Sequence, residues 1–155
     1  MNNLSELVRG GTLCLSKAGI GIGGTTTKAR ITAPNGAGVD FAIAGKLYHV
    51  GEADDLLVFT ARTQAALYSC IYLVCITAAN VITLVPGTDV LTANVAAGNS
   101  PLQWPEPTVN TCPIGAIRID SGASAFVAAT TALTGGTVTV TYYDLFAVPD
   151  APIVA

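Results

Sequence analysis

Residues 67–85, which read LYSCIYLVCITAANVITLV, decide the fold of this chain. Apolar residues fill both faces of the stretch on either side of a polar turn at residues 78–80. A strand that is apolar on both faces is covered on both sides, so it belongs in the middle of a sheet or sandwich. A buried helix is the alternative at this length. The β-branched and aromatic residues and the turn favour two strands, and the stretch therefore predicts a central β-hairpin.

The two faces of the first strand follow from the alternation of side chains along a strand. One face is predicted to carry Ile71, Leu73 and Cys75, and the other Tyr72, Val74 and Ile76. Cys70 and Cys75 lie five residues apart and therefore point to opposite faces, so they cannot pair or share a metal ion from this strand. We expect both to be small buried hydrophobic residues.

Short strand-like segments flank the hairpin and are separated by glycine, proline and asparagine turns. They comprise residues 12–15, 25–32, 39–44, 47–50, 114–120, 126–127 and 137–143. This pattern predicts an all-β fold, either an antiparallel β-sandwich or a small jelly-roll-like barrel. We expect one β-sandwich domain at residues 12–147, with an extended N-terminal arm at 1–11 and an extended C-terminal arm at 148–155.

Two loops carry specific expectations. Gly45-Lys46 is predicted to be a two-residue turn between strands 39–44 and 47–50, because glycine stands first. Glu52, Asp54 and Asp55 form a small acidic segment that lacks the spacing of a calcium-binding loop, and we expect a solvated turn there.

The composition is unusual for a protein that stays alone in water. Hydrophobic residues make up 51% of the 155 residues and charged residues only 11%, against about a quarter in ordinary soluble domains. Such a chain either buries much of its exterior against partners or exposes apolar patches. No apolar run is long enough to cross a membrane as a helix, so we expect synthesis in the cytosol, no membrane partner, and incorporation into an assembly.

The charges argue against nucleic acid as a partner. The net charge is -3, and the seven lysines and arginines are scattered along the chain. A nucleic-acid-binding domain normally concentrates its basic residues on one face.

Enzymatic and cofactor motifs are incomplete. Gly19, Gly21 and Gly24 have the spacing of a dinucleotide-binding loop, but threonines follow where a helix must begin. We expect these glycines to mark β-bulges or close backbone contacts instead. His49, the single histidine, has no neighbouring nucleophile or carboxylate pair in the sequence. We therefore predict a protein without enzymatic activity, cofactor or metal site.

Three segments are expected to contact other subunits. The proline-rich loop 101–107 is stiffened by its prolines and carries the single tryptophan, although Trp104 could equally fold back and cap the core. The N-terminal and C-terminal arms are apolar enough to pack on a neighbour. The predicted contact residues are Leu4, Leu7, Trp104, Pro105, Pro149, Ile153 and Val154.

Cys14 and Cys112 lie near the ends of predicted strands, and Pro113 follows the second. We expect these two thiols to be the exposed ones. If the assembly leaves the reducing cytosol, they could form disulfides within or between subunits.

Five segments resemble a group of small bacteriophage virion structural proteins, which includes head decoration, cement and capsid-linking proteins. They are residues 41–48 (FAIAGKLY), 72–76 (YLVCI), 81–88 (VITLVPGT), 113–119 (PIGAIRI) and 138–144 (VTVTYYD). The resemblance implies a homotrimer that binds the major capsid protein on the outside of the virion and bridges neighbouring capsomers. The proline-rich insert near Trp104 and the four cysteines depart from the simplest pattern, and the N-terminal arm falls outside it.

Two other classes of function stay open at this stage. A tail-fibre or receptor-binding module of the same virion would also be all-β and trimeric, but the sequence shows no cluster of aromatic and acidic residues for a receptor. An enzyme would need a catalytic constellation that one histidine and isolated acids do not supply.

Overall fold

A computed structural model describes residues 11–32, 38–60 and 62–145 of the chain. Its strands are β1 (Leu13–Cys14), β2 (Ile20–Ile22), β3 (Ala29–Ile31), β4 (Val39–Ile43), β5 (Lys46–Val50), β6 (Ala53–Leu57), β7 (Thr63–Gln64), β8 (Tyr68–Thr77), β9 (Ile82–Pro86), β10 (Val90–Leu91), β11 (Thr111–Ser121), β12 (Phe126–Val127) and β13 (Val138–Asp144). One short helix, α1 (Thr92–Ala96), lies between β10 and β11. The all-β prediction is confirmed. The predicted arms lie outside the described residues, apart from Gly11.

The largest sheet is built on the hairpin that the sequence predicted. Its order is β10-β8-β11-β13, and β9 also pairs with β8 on the side where β10 lies. All pairings are antiparallel. The turn between β8 and β9 is closed by the Thr77 N–H, which donates to the Val81 carbonyl at 2.9 Å, and Asn80 takes the left-handed conformation that this turn requires.

Three smaller antiparallel sheets surround one face of the large sheet. They have the orders β1-β4-β5, β2-β3-β6 and β12-β7. The main core lies between them and the large sheet, and it receives Tyr72, Val74 and Ile76 from β8. A second, smaller cluster on the opposite face contains Ile71, Leu73 and Cys75 together with Ala116. The predicted division of β8 into two apolar faces is therefore confirmed.

The turn between β4 and β5 lies one residue earlier than predicted. Ile43 pairs with Lys46, so the two turn residues are Ala44 and Gly45, with φ angles of 50° and 79°. Two consecutive left-handed residues are typical of a type I′ turn, whose twist matches that of the flanking strands. The prediction of Gly45-Lys46 was wrong because it placed glycine in the first position rather than the second.

The strand predicted after the glycine-rich segment is shorter in the structure. The predicted strand 25–32 shortens to β3, because the Lys28 N–H donates to the Thr25 carbonyl at 2.9 Å and closes a turn. Helix α1 was not predicted at all. Its sequence TANVA offers no apolar periodicity, and only Val95 is buried.

Candidate interaction surface

The outer face of the β1-β4-β5 sheet exposes a row of apolar side chains. Leu13 pairs with Ala42, and Ala42 pairs with Leu47. The neighbouring row of Cys14, Phe41 and Tyr48 packs against the main core. Because side chains alternate across a strand, the first row faces away from the core. Leu47 is 75% exposed and Leu13 45% exposed, whereas Ala42, which lies between them, is only 4% exposed.

A second row on the same face combines one leucine with a hydrogen-bonded polar pair. The Leu15 N–H donates to the Asp40 carbonyl at 2.8 Å, which brings Leu15 level with Asp40. Asp40 pairs with His49, and the two side chains meet at 2.7 Å between Oδ1 and Nδ1. A polar contact this exposed contributes little to stability. It instead gives the apolar residues a polar border, as in many protein interfaces.

We call the outward residues Leu13, Leu15, Ala42 and Leu47 the β1–β5 apolar face. Their placement follows from the short strand β1, which pairs with β4 and extends the hairpin by one strand. Leu13, Leu15 and Leu47 fall in predicted strands, but none of them was among the predicted contact residues. The sequence does show alternating apolar residues in strands 12–15 and 47–50. That these residues share one surface becomes clear only from the pairing of the strands.

Trp104 and Pro105 lie on the opposite side of the large sheet from this face. The Trp104 ring contacts Tyr143 edge-on, with centroids 6.3 Å apart, and remains 37% exposed. Pro105 packs beside Gly87. Trp104 thus folds back towards the second apolar cluster and still presents part of its ring to solvent. The other predicted contacts lie outside the described residues: Leu4, Leu7, Pro149, Ile153 and Val154.

The prediction that Cys14 and Cys112 are exposed was wrong. Cys14 is 6% exposed and Cys112 is fully buried, and both belong to the main core. Cys14 points inward because its neighbours Leu13 and Leu15 take the outer face. Burial raises the pKa of Cys14 to about 11 and that of Cys112 to about 12. All four cysteines are free thiols and buried, which confirms the prediction for Cys70 and Cys75.

The glycine-rich segment binds two carboxylates of the chain itself. The Gly24 N–H donates to Asp54 Oδ1 at 2.9 Å, and the Thr25 N–H donates to Asp55 Oδ1 at 2.8 Å. The Thr25 hydroxyl also donates to Asp55, and these hydrogen bonds hold the pKa of Asp55 below its usual value. A Cβ atom at Gly24 would lie 2.6 Å from Asp54 Oδ2. The glycine therefore permits a close contact, as predicted.

The expectation of a solvated acidic turn was wrong for Asp54 and Asp55. Both belong to strand β6, and both carboxylates accept hydrogen bonds from the glycine-rich segment. The amides of Gly24 and Thr25, which a dinucleotide-binding loop would offer to phosphate, are used within the chain.

Sequence analysis missed a polar cluster around Arg62. Its Nη2 donates to Asp89 Oδ1 at 2.6 Å, its Nη1 lies 3.2 Å from the Cys70 sulfur, and its guanidinium stacks over the Tyr72 ring. The arrangement ties the loop before β10 to the residue preceding β7. Arg62 and Asp89 lie 27 residues apart, so no local pattern could identify the pair.

Residues 11–32, 38–60 and 62–145 contain neither a metal-binding cluster nor a helix long and apolar enough to cross a membrane. No group of three or more histidine, cysteine, aspartate or glutamate side chains in these ranges could hold a metal ion. The helices of the described part of the chain include none with the length and apolarity to cross a membrane. Compared with known protein families, with curated proteins and with solved structures, the chain matches none of them.

Proposed function

We propose that this chain is a structural virion protein that binds the outside of a bacteriophage capsid and stabilises it by bridging neighbouring capsomers. The proposal depends mainly on the β1–β5 apolar face, where Leu13 and Leu47 expose their side chains on either side of Ala42. Exposed apolar surface with a polar border is typical of a protein contact site. The resemblance to small virion proteins supports the same conclusion.

The proposed mechanism is mechanical. Each copy buries apolar surface across two capsomers, so that separating the capsomers exposes that surface to water again. An interface of about 1,600 Å² is typical of a stable protein contact. The low content of charged side chains favours this, since few charges need to be desolvated. The major capsid protein is the proposed partner, and the resemblance implies three copies per assembly unit.

Copy number in purified virions tests the location. Quantitative mass spectrometry of whole particles, heads and tails should find the chain in the head fraction, in a number comparable with that of the major capsid protein. A few copies in the tail fraction would instead support the tail-fibre or receptor-binding alternative. Absence from both fractions would overturn the proposal.

A matched pair of variants tests the surface. Leu47→Asp places a charge on the most exposed residue of the β1–β5 apolar face, and we expect it to weaken binding to capsids depleted of the protein by at least about 10-fold. Val109→Asp is the control, because Val109 is 86% exposed in the turn before β11. Circular dichroism should show both variants folded. Equal binding of the two variants would exclude this face as the contact site.

A further inference from the structure

Strand β13 forms one edge of the large sheet. Its hydrogen bonds to β11 show which of its backbone N–H and C=O groups point outward. The Gly122 N–H donates to the Thr137 carbonyl at 3.0 Å, and the Leu145 N–H donates to the Ile114 carbonyl at 3.2 Å. These bonds lie at the two ends of one continuous register. Hydrogen-bonded and non-bonded pairs alternate in an antiparallel ladder. The residues of β13 whose N–H and C=O groups point away from β11 are therefore Val138, Val140, Tyr142 and Asp144.

Two other edge strands, β9 and β5, are protected against pairing. On β9 the same alternation turns Pro86 outward, and proline has no N–H to offer a further strand. On β5 the outward carbonyl of His49 accepts a hydrogen bond from the Asn80 side chain at 3.2 Å, and Lys46 begins the strand. Lysine and proline are the usual devices that keep an edge from adding strands.

Strand β13 has no such protection. Its sequence VTVTYYD contains no proline or lysine and no bulge interrupts its register, and among the described residues no strand pairs with its outer side. Val140 and Tyr142 pack against the main core but remain partly exposed at this rim. An added strand would complete their burial and bond the outward backbone groups.

We propose that β13 pairs antiparallel with β13 of a second copy, about a twofold axis at Val140. The outward residues of β13 can pair with the same residues of a second copy, because the twofold axis passes through the middle one. Val140 faces Val140 of the copy, and Val138 faces Tyr142, so that these three outward residues form hydrogen-bonded pairs of two bonds each. Both large sheets then become one continuous sheet with both cores on the same side.

The exposed side chains and charges also match in this register. Thr139 of one copy lies opposite Thr141 of the other, and cross-strand threonine pairs are favourable in sheets. Asp144, the single charged residue of β13, lies opposite Gly136 rather than another acid. The pairing concerns contacts between copies, so it stands or fails separately from the capsid role.

Engineered cysteines test the register. Thr139→Cys and Thr141→Cys are made separately in full-length chains of different tag length. In the proposed pair, residues 139 and 141 form a non-hydrogen-bonded pair with Cα atoms about 4.5 Å apart, within disulfide range. Residues 139 and 139, or 141 and 141, lie on a diagonal of roughly 7–8 Å, beyond that range. Mild oxidation of the mixture should give the mixed-size cross-link, and each variant alone should stay uncross-linked.

Charge variants test the association itself. Sedimentation velocity should find a concentration-dependent dimer, and Thr139→Lys combined with Thr141→Lys should raise its dissociation constant at least about 10-fold by placing like charges opposite each other. Thr83→Lys on the protected edge strand β9 is the matched control, because Thr83 is also exposed. It should leave the dimer unchanged.

Three results would overturn the pairing. The first is a monomer at all concentrations without the mixed cross-link. The second is a trimer in which cysteines 139 and 141 do not cross-link. The third is cross-linking that appears only after removal of residues 146–155, which would identify the chain's own C-terminal segment as the occupant of the edge.

Discussion

The Gln64 side chain donates from Nε2 to the carbonyl oxygen of Ile119 at 2.9 Å, joining β7 to the centre of β11. Gln64 is fully buried, and it also donates to the Tyr68 carbonyl and accepts from the Tyr72 hydroxyl. A buried polar side chain is stable only when its groups are paired. This glutamine therefore fixes how the small β7-β12 sheet sits on the large one.

Replacing the side-chain amide of Gln64 should destabilise the fold. We expect Gln64→Leu to lower the free energy of unfolding by about 2–4 kcal/mol, because the substitution leaves two carbonyls and a hydroxyl buried without their partner. Urea denaturation measures the change. Gln103→Leu is the matched control, since Gln103 is exposed in the proline-rich loop, and it should change stability by less than about 0.5 kcal/mol. Equal effects would contradict the role of Gln64.

The two buried tyrosine hydroxyls should respond in opposite ways. The Tyr142 hydroxyl is buried without a hydrogen-bond partner among the described residues, and burial raises its pKa. Tyr142→Phe should leave stability unchanged or raise it by about 1 kcal/mol, since an unpaired hydroxyl costs free energy. Tyr72→Phe removes a paired hydroxyl and should destabilise the fold by about 1–2 kcal/mol. Thermal unfolding compares them, and a larger loss for Tyr142→Phe would refute this assignment.

The β4–β5 turn offers a stabilising substitution. Ala44 holds a φ of 50°, which costs a residue with a Cβ atom about 1 kcal/mol, whereas asparagine tolerates this conformation. Ala44→Asn should therefore raise the free energy of unfolding by about 0.5–1 kcal/mol in urea titrations. Asn-Gly is the preferred type I′ pair, so Gly45 must be kept. A loss of stability in Ala44→Asn would show that the turn is not type I′.

Acid should weaken the contact between Asp55 and Thr25. The Thr25 hydroxyl and N–H both stabilise the ionised carboxylate and lower its pKa below the ordinary 3.8. The stabilisation is present above pH 3.8 and is lost as pH falls through the lower folded pKa, because the unfolded chain binds the proton first. Asp55→Asn should therefore be less stable than wild type above this window, and the two stability curves should converge below it. A constant offset at every pH would contradict the linkage.

The four thiols should be unreactive until the protein unfolds. Raising the pKa of Cys14 from 9.0 to about 11 reduces its thiolate fraction about 100-fold at neutral pH, and burial blocks access as well. Mass spectrometry after iodoacetamide treatment at about pH 8 should find the native chain unmodified and the urea-unfolded chain alkylated four times. Non-reducing gels should show no native disulfide. Rapid labelling of native Cys14 or Cys112 would contradict their burial.

The elements determined by residues close together in the chain were predicted correctly from the sequence. The two apolar faces of β8, the turn at Asn80 and the alternation of β13 all follow from side-chain periodicity within one segment. The elements that depend on pairing were mispredicted. Cys14 was predicted to be exposed because it lies near the end of the predicted strand 12–15, whereas its orientation is decided by pairing with β4.

The site could be predicted only in part for the same reason. Leu13 and Leu47 lie far apart in the chain, and only the shared partner Ala42 places them in one row. Asp54 and Asp55 looked like a solvated turn because their hydrogen-bond donors are 30 residues away. The sequence left open whether Trp104 contacts another subunit or folds back on the core. In the structure the ring contacts Tyr143 and also remains partly exposed.

Pro86 has a consequence for the size that any assembly of these sheets can reach. It stands on the edge strand opposite β13, with its ring nitrogen turned outward. A subunit with two open edges would polymerise into filaments, one sheet after another, as amyloid does. If β13 pairs as proposed, the proline on the opposite edge limits strand addition along the large sheet to one step, so large sheets join in twos rather than in an open series.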